Sequence, residues 1–95
     1  MPKEWTPEEV RSWILKVLYD VYMRSPTATM SWTRIDFSEA TDDNPSWEDI
    51  YREAEWLDWK GFIKSSPGIS VVSARLTPAG REFVEQELLK PSSGA

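Results

Sequence analysis

Two pairs of neighbouring carboxylates have the residue types that metal binding or acid–base chemistry needs. Asp42 and Asp43 lie in a turn by composition, and Glu48 and Asp49 lie at the start of a predicted helix. The glycine-containing spacing of a calcium loop is missing around both pairs. Neighbouring acids in such places usually cap a helix and complement its dipole. We therefore expect no catalytic residue, no metal site and no enzyme activity.

The overall composition points the same way. The 95 residues include no His and no Cys, so the commonest general base, the commonest metal ligand and a thiol nucleophile are missing. A net charge of −5 opposes unaided binding to a polyanion but leaves room for a local basic patch. No apolar run approaches the length of a membrane span. We expect a cytoplasmic protein with no cofactor and no membrane partner.

Residues that typically begin and end helices predict three long helices. Thr6 and Glu9 have the spacing of a capping box, which predicts a helix over 7–24. Ser46 opens a helix that Gly61 ends, and this helix over 47–60 is the third in the predicted order. A Thr-Pro step predicts a final helix over 78–89.

The rest of the chain is predicted to be strands and turns around one short helix. Runs rich in β-formers at 62–65 and 69–76 flank a Ser-Pro-Gly turn and predict a hairpin. Its second strand is expected to face the core with Ser70, Val72, Ala74 and Leu76. Residues 30–35 have the composition of a short strand. Residues 37–41 are predicted to be the short second helix, with Asp36 as its cap.

This order of elements resembles that of a winged helix-turn-helix domain. The segment Leu57-x-x-x-Gly61-Phe62-Ile63 resembles the end of the family's recognition helix and the start of its wing, and Leu76-Thr77-Pro78-Ala79-Gly80 resembles the step that follows the wing. The resemblance implies an α+β fold, a single winged helix-turn-helix domain of three or four helices with a two-stranded β-hairpin wing. We assign residues 6–89 to this domain, 1–5 to an N-terminal extension and 90–95 to a flexible tail.

The resemblance implies a small regulator of transcription that binds double-stranded DNA with its third helix and wing. Four cations on or beside that surface would contact phosphates: Arg52, Lys60, Lys64 and Arg75. The chain departs from the family pattern at this surface. Between Ile35 and Tyr51 it has six acidic residues and no Lys or Arg, and missing cations weaken the attraction to phosphates.

A protein-interaction module that does not bind DNA is the alternative. Trp56 and Trp59 point away from the core stripe of the third helix, and Trp is enriched at interface hot spots. Together with the acidic stretch 36–49 they would meet a basic partner or imitate nucleic acid. Partial burial of both rings against the hairpin or the first helix is the other interpretation of these two residues.

The first helix is apolar on more than one side. Leu15, Tyr19 and Tyr22 lie off its main apolar stripe, which predicts a second apolar surface. We expect this surface to form a homodimer with help from the last helix. Packing of the last helix on the first within one chain is the alternative.

Overall fold

Helices and strands alternate along most of the chain. The computed structural model describes residues 3–89, and the predicted tail over 90–95 lies outside them. The elements are α1 (Pro7–Arg24), β1 (Met30–Thr33), α2 (Trp47–Lys60), β2 (Ile63–Pro67), β3 (Val71–Leu76) and α3 (Pro78–Phe83), which continues as a π-helical turn over Val84–Leu88. The α+β class is confirmed. No helix among residues 3–89 is long and apolar enough to cross a membrane.

The helix caps that the sequence predicts are present as hydrogen bonds in the structure. The Thr6 hydroxyl accepts from the N–H of Glu9 at 3.2 Å, and the Glu9 carboxylate accepts from the N–H of Thr6 at 3.0 Å. The Ser46 hydroxyl accepts from the N–H of Asp49 at the start of α2. Gly61 ends α2 in the left-handed conformation, with φ of 85°. Local chemistry therefore fixes where α1 and α2 begin and where α2 ends.

The sheet has one strand more than the predicted wing. Its antiparallel order is β1-β3-β2, because Met30–Thr33 pairs with the start of β3. The prediction of a two-stranded wing is wrong on this point. The predicted core face of β3 is confirmed at Val72, Ala74 and Leu76, which are buried. It is wrong at Ser70, which is exposed and precedes the strand.

Turns replace the short helix that the sequence predicts over 37–41. That prediction, with Asp36 as the cap, is wrong, since residues 34–46 contain no helix. The Thr41 hydroxyl instead accepts from the N–H groups of Asp43 and Asn44 and donates to the Asn44 side chain. Such side-chain bonds to nearby backbone offer the chain an alternative to helix. The segment that precedes α2 is therefore a loop.

Helix α2 forms hydrogen bonds with both edge strands of the sheet. The Asp58 carboxylate accepts from the N–H of Ser65 at 2.8 Å and from its hydroxyl at 2.9 Å, at the β2 edge. At the β1 edge, the indole N–H of Trp47 donates to the carbonyl of Trp32 at 3.1 Å. Exposed strand edges tend to pair with other chains. These bonds fix α2 across the sheet, with its opposite side turned to solvent.

The N-terminal residues contact the loop before α2. The backbone N–H of Lys3 donates to Asp42 at 2.9 Å, and the indole N–H of Trp5 donates to the carbonyl of Thr41 at 2.8 Å. The Lys3 ammonium pairs with Glu9 at 2.8 Å. The described part of the predicted extension therefore lies against the domain.

We expect the Glu9 carboxyl group in the capping box of α1 to titrate at unusually low pH. The Lys3 side chain and the backbone N–H of Thr6 lower the pKa of Glu9 from 4.5 to about 2. Because this pKa is lower in the folded state, the stabilisation is fully present above about pH 4.5 and is lost as pH falls towards 2. An NMR titration of the Glu9 carboxyl should give a midpoint near 2.

The variant Lys3→Gln is the matched control for this titration. It removes the first and largest cause of the shift while Thr6 remains, so the Glu9 midpoint should rise towards its ordinary value. A midpoint near that ordinary value in the unchanged protein would contradict the ion pair between Lys3 and Glu9 and the hydrogen bond from Thr6 to Glu9.

Candidate functional site

The solvent side of α2 carries the candidate site. Glu48, Arg52, Glu55 and Trp59 are all exposed and follow one another at steps of four, three and four residues, which places them along one side of a helix. We call these four residues the α2 face. Trp59 is 78 % exposed, although tryptophan is on average a highly buried residue. The face therefore combines acidic groups with a large apolar ring.

A buried carboxylate lies beneath the α2 face. Glu53 is 3 % exposed, and it accepts from Arg11 Nε at 2.7 Å and from Arg52 Nε at 3.1 Å. Arg52 also donates to Asp49 at 2.5 Å. The hydrogen bonds that Arg52 donates raise its pKa, and the bond to Glu53 has a larger effect than the bond to Asp49. Two carboxylates thus neutralise the one cation of the α2 face.

Trp56 and Trp59 differ in burial. Trp56 is half-buried and packs against the core. The Arg11 guanidinium carbon lies 3.8 Å from the centre of the Trp56 ring. Lys60 Nζ lies 5.3 Å from that ring and 5.2 Å from the Trp59 ring, within the range of a cation–π contact. The Trp56 ring is therefore partly buried against α1, whereas the Trp59 ring is exposed.

The four cations expected to contact phosphates fall into two groups. Arg52 is paired with two carboxylates. Lys60, Lys64 and Arg75 are exposed and form no ion pair among residues 3–89. Lys64 and Arg75 are cross-strand partners on the sheet face away from the core, and Lys60 precedes the turn into β2. The structure therefore brings three of the cations to one end of α2 and places Arg52 about two turns away.

Acidic residues collect at the opposite end of α2. Of the six acids between Ile35 and Tyr51, only Asp49 forms an ion pair within the described part of the chain. None of these residues joins a cluster of three or more possible metal ligands in residues 3–89. The helix thus runs from an acidic end to a basic end over roughly 20 Å.

The second apolar surface predicted on α1 is largely used within the chain. Leu15 is 2 % exposed, which corrects its assignment to an interaction surface. The Tyr19 hydroxyl donates to Glu85 at 2.9 Å, and the Arg81 guanidinium lies 5.9 Å from the Tyr22 ring. The last helix therefore packs on α1 in one chain, which is the alternative that the sequence left open. The homodimer stays a prediction.

Sequence reasoning missed the two residues that organise this site, Arg11 and Glu53. The only local signal was the position of Glu53 beside Ala54 on the core side of the third helix. Its partner Arg11 is 42 residues away in the chain, and no spacing rule links them. Comparisons with protein-family models, with curated proteins and with solved structures found no match for this chain.

Proposed function

We propose that this chain is a protein-interaction module that binds a basic protein partner through the α2 face. The observation that carries the proposal is that the Trp59 side chain is 78 % exposed. It lies on a helix that is held across the sheet by hydrogen bonds at both edges. A rigid aromatic side chain buries a large area at a small cost in conformational entropy. Tryptophan is also enriched among the residues that dominate binding energy.

Charge favours a basic partner over an acidic one. Glu48 and Glu55 both lie on the N-terminal side of Trp59 along the helix and form no ion pair within residues 3–89. A Lys- or Arg-bearing partner segment would place its cations against these carboxylates, and a guanidinium or apolar group against the Trp59 ring. The DNA-binding surface of another protein has this chemistry, so imitation of nucleic acid belongs to the same proposal.

A winged-helix variant is the proposed scaffold. The hairpin of β2 and β3 follows α2 after a short turn, and α3 follows the hairpin. The addition of β1 to the hairpin supports the proposal, because it ties the segment after α1 to the wing. The loop over 34–46 stands where the family has a helix, and this loop carries four of the 16 acidic residues of the chain.

Binding to double-stranded DNA is the second candidate, limited to Lys60, Lys64 and Arg75. Their exposure and freedom from ion pairs within the described residues favour it. The α2 face opposes it, because Glu48 and Glu55 would lie against phosphates while Arg52 is already paired. A regulator of transcription would therefore have to contact DNA with the hairpin end of the molecule.

Removal of the Trp59 ring should abolish most of the partner affinity. We expect Trp59→Ala to weaken binding of a labelled helical peptide rich in Lys and Leu by about 30-fold, which is about 2 kcal/mol. The free energy of unfolding should change by less than about 0.5 kcal/mol, since the ring is exposed. Fluorescence anisotropy measures the affinity, and urea denaturation measures the stability.

Met23→Ala is the control for this variant. Met23 is 57 % exposed at the end of α1, so the substitution removes another exposed apolar side chain away from α2. Its peptide affinity should equal that of the unchanged protein. An equal loss in the two variants would mean that the peptide adheres to apolar surface in general.

A further inference from the structure

A cleft of about 300 Å³ opens between α1, α2 and the last helix. Its walls are mostly apolar and are formed by Leu15, Trp56, Leu57, Phe62, Phe83 and Leu88. The rings of Phe62 and Phe83 stack with centres 4.6 Å apart and form one side of the cleft. This volume lies at the lower end of the range of small-molecule sites, so the cleft suits a ligand of about the size of one amino acid.

Two side chains of opposite charge line the same cleft. Glu8 and Lys60 are both exposed and form no ion pair among residues 3–89. The third charged group, Arg11, is paired with Glu53 at 2.7 Å, and its guanidinium carbon lies 3.8 Å from the centre of the Trp56 ring. The cleft therefore offers an apolar interior with one carboxylate and one ammonium that form no ion pair among residues 3–89.

The wall from the last helix has an unusual backbone. The helix changes from α to π at Val84, and the N–H of Leu89 donates to the carbonyl of Val84 at 2.8 Å, a bond that spans five residues. Leu88 lies in this π-helical turn and lines the cleft. Such turns are rare and occur frequently at functional sites. The backbone and the charges thus single out the same place independently.

We propose that the cleft binds a free amino acid with a large apolar side chain. The side chain would fill the apolar interior, the ligand carboxylate would pair with Lys60, and the ligand ammonium would pair with Glu8. A ligand with only one of the two charges would leave one of these groups unused. The lining of the cleft contains none of the four residues of the α2 face, although Lys60 in the cleft lies 5.2 Å from the Trp59 ring of that face.

Ligands that differ by one charge test this assignment. L-phenylalanine should shift the indole N–H signal of Trp56 in an NMR titration. Phenethylamine, which lacks the carboxylate, and 3-phenylpropionate, which lacks the ammonium, should each bind about fivefold more weakly, as expected for loss of one exposed charge pair. Equal binding of all three compounds, or no shift with any of them at millimolar concentration, would overturn the proposal.

Two variants assign the charges to their partners. Lys60→Gln should weaken L-phenylalanine about fivefold and leave phenethylamine unchanged. Glu8→Gln should weaken L-phenylalanine by a similar factor and leave 3-phenylpropionate unchanged. Lys64→Gln and Glu4→Gln make the same charge changes outside the cleft lining and should change none of the affinities. Equal effects of the cleft variants and the control variants on L-phenylalanine would overturn the proposal.

Discussion

Gly80→Ala is expected to lower the free energy of unfolding by at least about 3 kcal/mol, the upper end for overpacking a tight contact. A Cβ at position 80 would overlap the carbonyl oxygen of Phe62 and lie 2.9 Å from Leu76 Cδ1. The Phe62 carbonyl cannot move freely, because it accepts the N–H of Thr77 at 3.1 Å. The Thr77 hydroxyl in turn donates to the carbonyl of Gly61 at 2.7 Å. Relief of the clash would therefore pull α3 away from the hairpin.

Gly61→Ala is the matched control for Gly80→Ala. Gly61 has φ of 85°, and a Cβ there would meet nothing within 4 Å, so only the left-handed backbone disfavours alanine, by about 1 kcal/mol. Thermal unfolding should separate the variants, since the difference of about 2 kcal/mol between them corresponds to roughly 8–16 °C in a domain of this size. A Gly80→Ala variant no less stable than Gly61→Ala would contradict the close contact between α3 and the hairpin.

Glu53→Ala is expected to destabilise the fold by about 3 kcal/mol. The substitution leaves Arg11 without its carboxylate while the Arg11 side chain is only 25 % exposed. Removal of one partner of a buried pair typically costs 3–5 kcal/mol, and the partial exposure of Arg11 places this case at the lower end. Arg52 keeps Asp49 and loses less. Urea denaturation at neutral pH measures the change.

A double substitution separates the ion pair from simple packing. Arg11→Leu with Glu53→Leu removes both charges and fills the space with apolar atoms, which is often neutral or stabilising for buried pairs. The double variant should therefore be more stable than Glu53→Ala. A double variant as unstable as Glu53→Ala would show that the packing shape, and not the unpaired charge, explains the loss.

Local chemistry made much of the fold predictable. The caps at Thr6 and Ser46 and the glycine at position 61 act within one or two turns, so sequence spacing was enough to place them. The alternation of β3 revealed its buried face for the same reason. The helix predicted over 37–41 does not form. The Thr41 hydroxyl accepts from the N–H groups of Asp43 and Asn44, and such side-chain bonds to nearby backbone compete with helix.

The candidate site was predictable only in part, because its arrangement depends on distant contacts. The sequence placed Trp56 and Trp59 together off the core stripe, but only the approach of Arg11 from α1 distinguishes the half-buried ring from the exposed one. Arg52 was predicted to contact phosphate from its position on the third helix. Its two carboxylate partners include the buried Glu53, for which the position beside Ala54 on the core side of the helix was the only local signal.

The central proposal is that the α2 face binds a basic protein segment and does not bind DNA. Its most direct test is to titrate the protein in parallel with the labelled Lys- and Leu-rich peptide and with random duplex DNA, at low and at moderate salt. Glu48→Gln with Glu55→Gln should weaken peptide binding up to about tenfold, while Glu4→Gln with Glu87→Gln, the same charge change elsewhere, should not. We predict peptide binding that depends on Trp59 and no DNA binding at either salt. Duplex binding that is lost when Lys60, Lys64 and Arg75 become Glu, without peptide binding, would contradict the proposal.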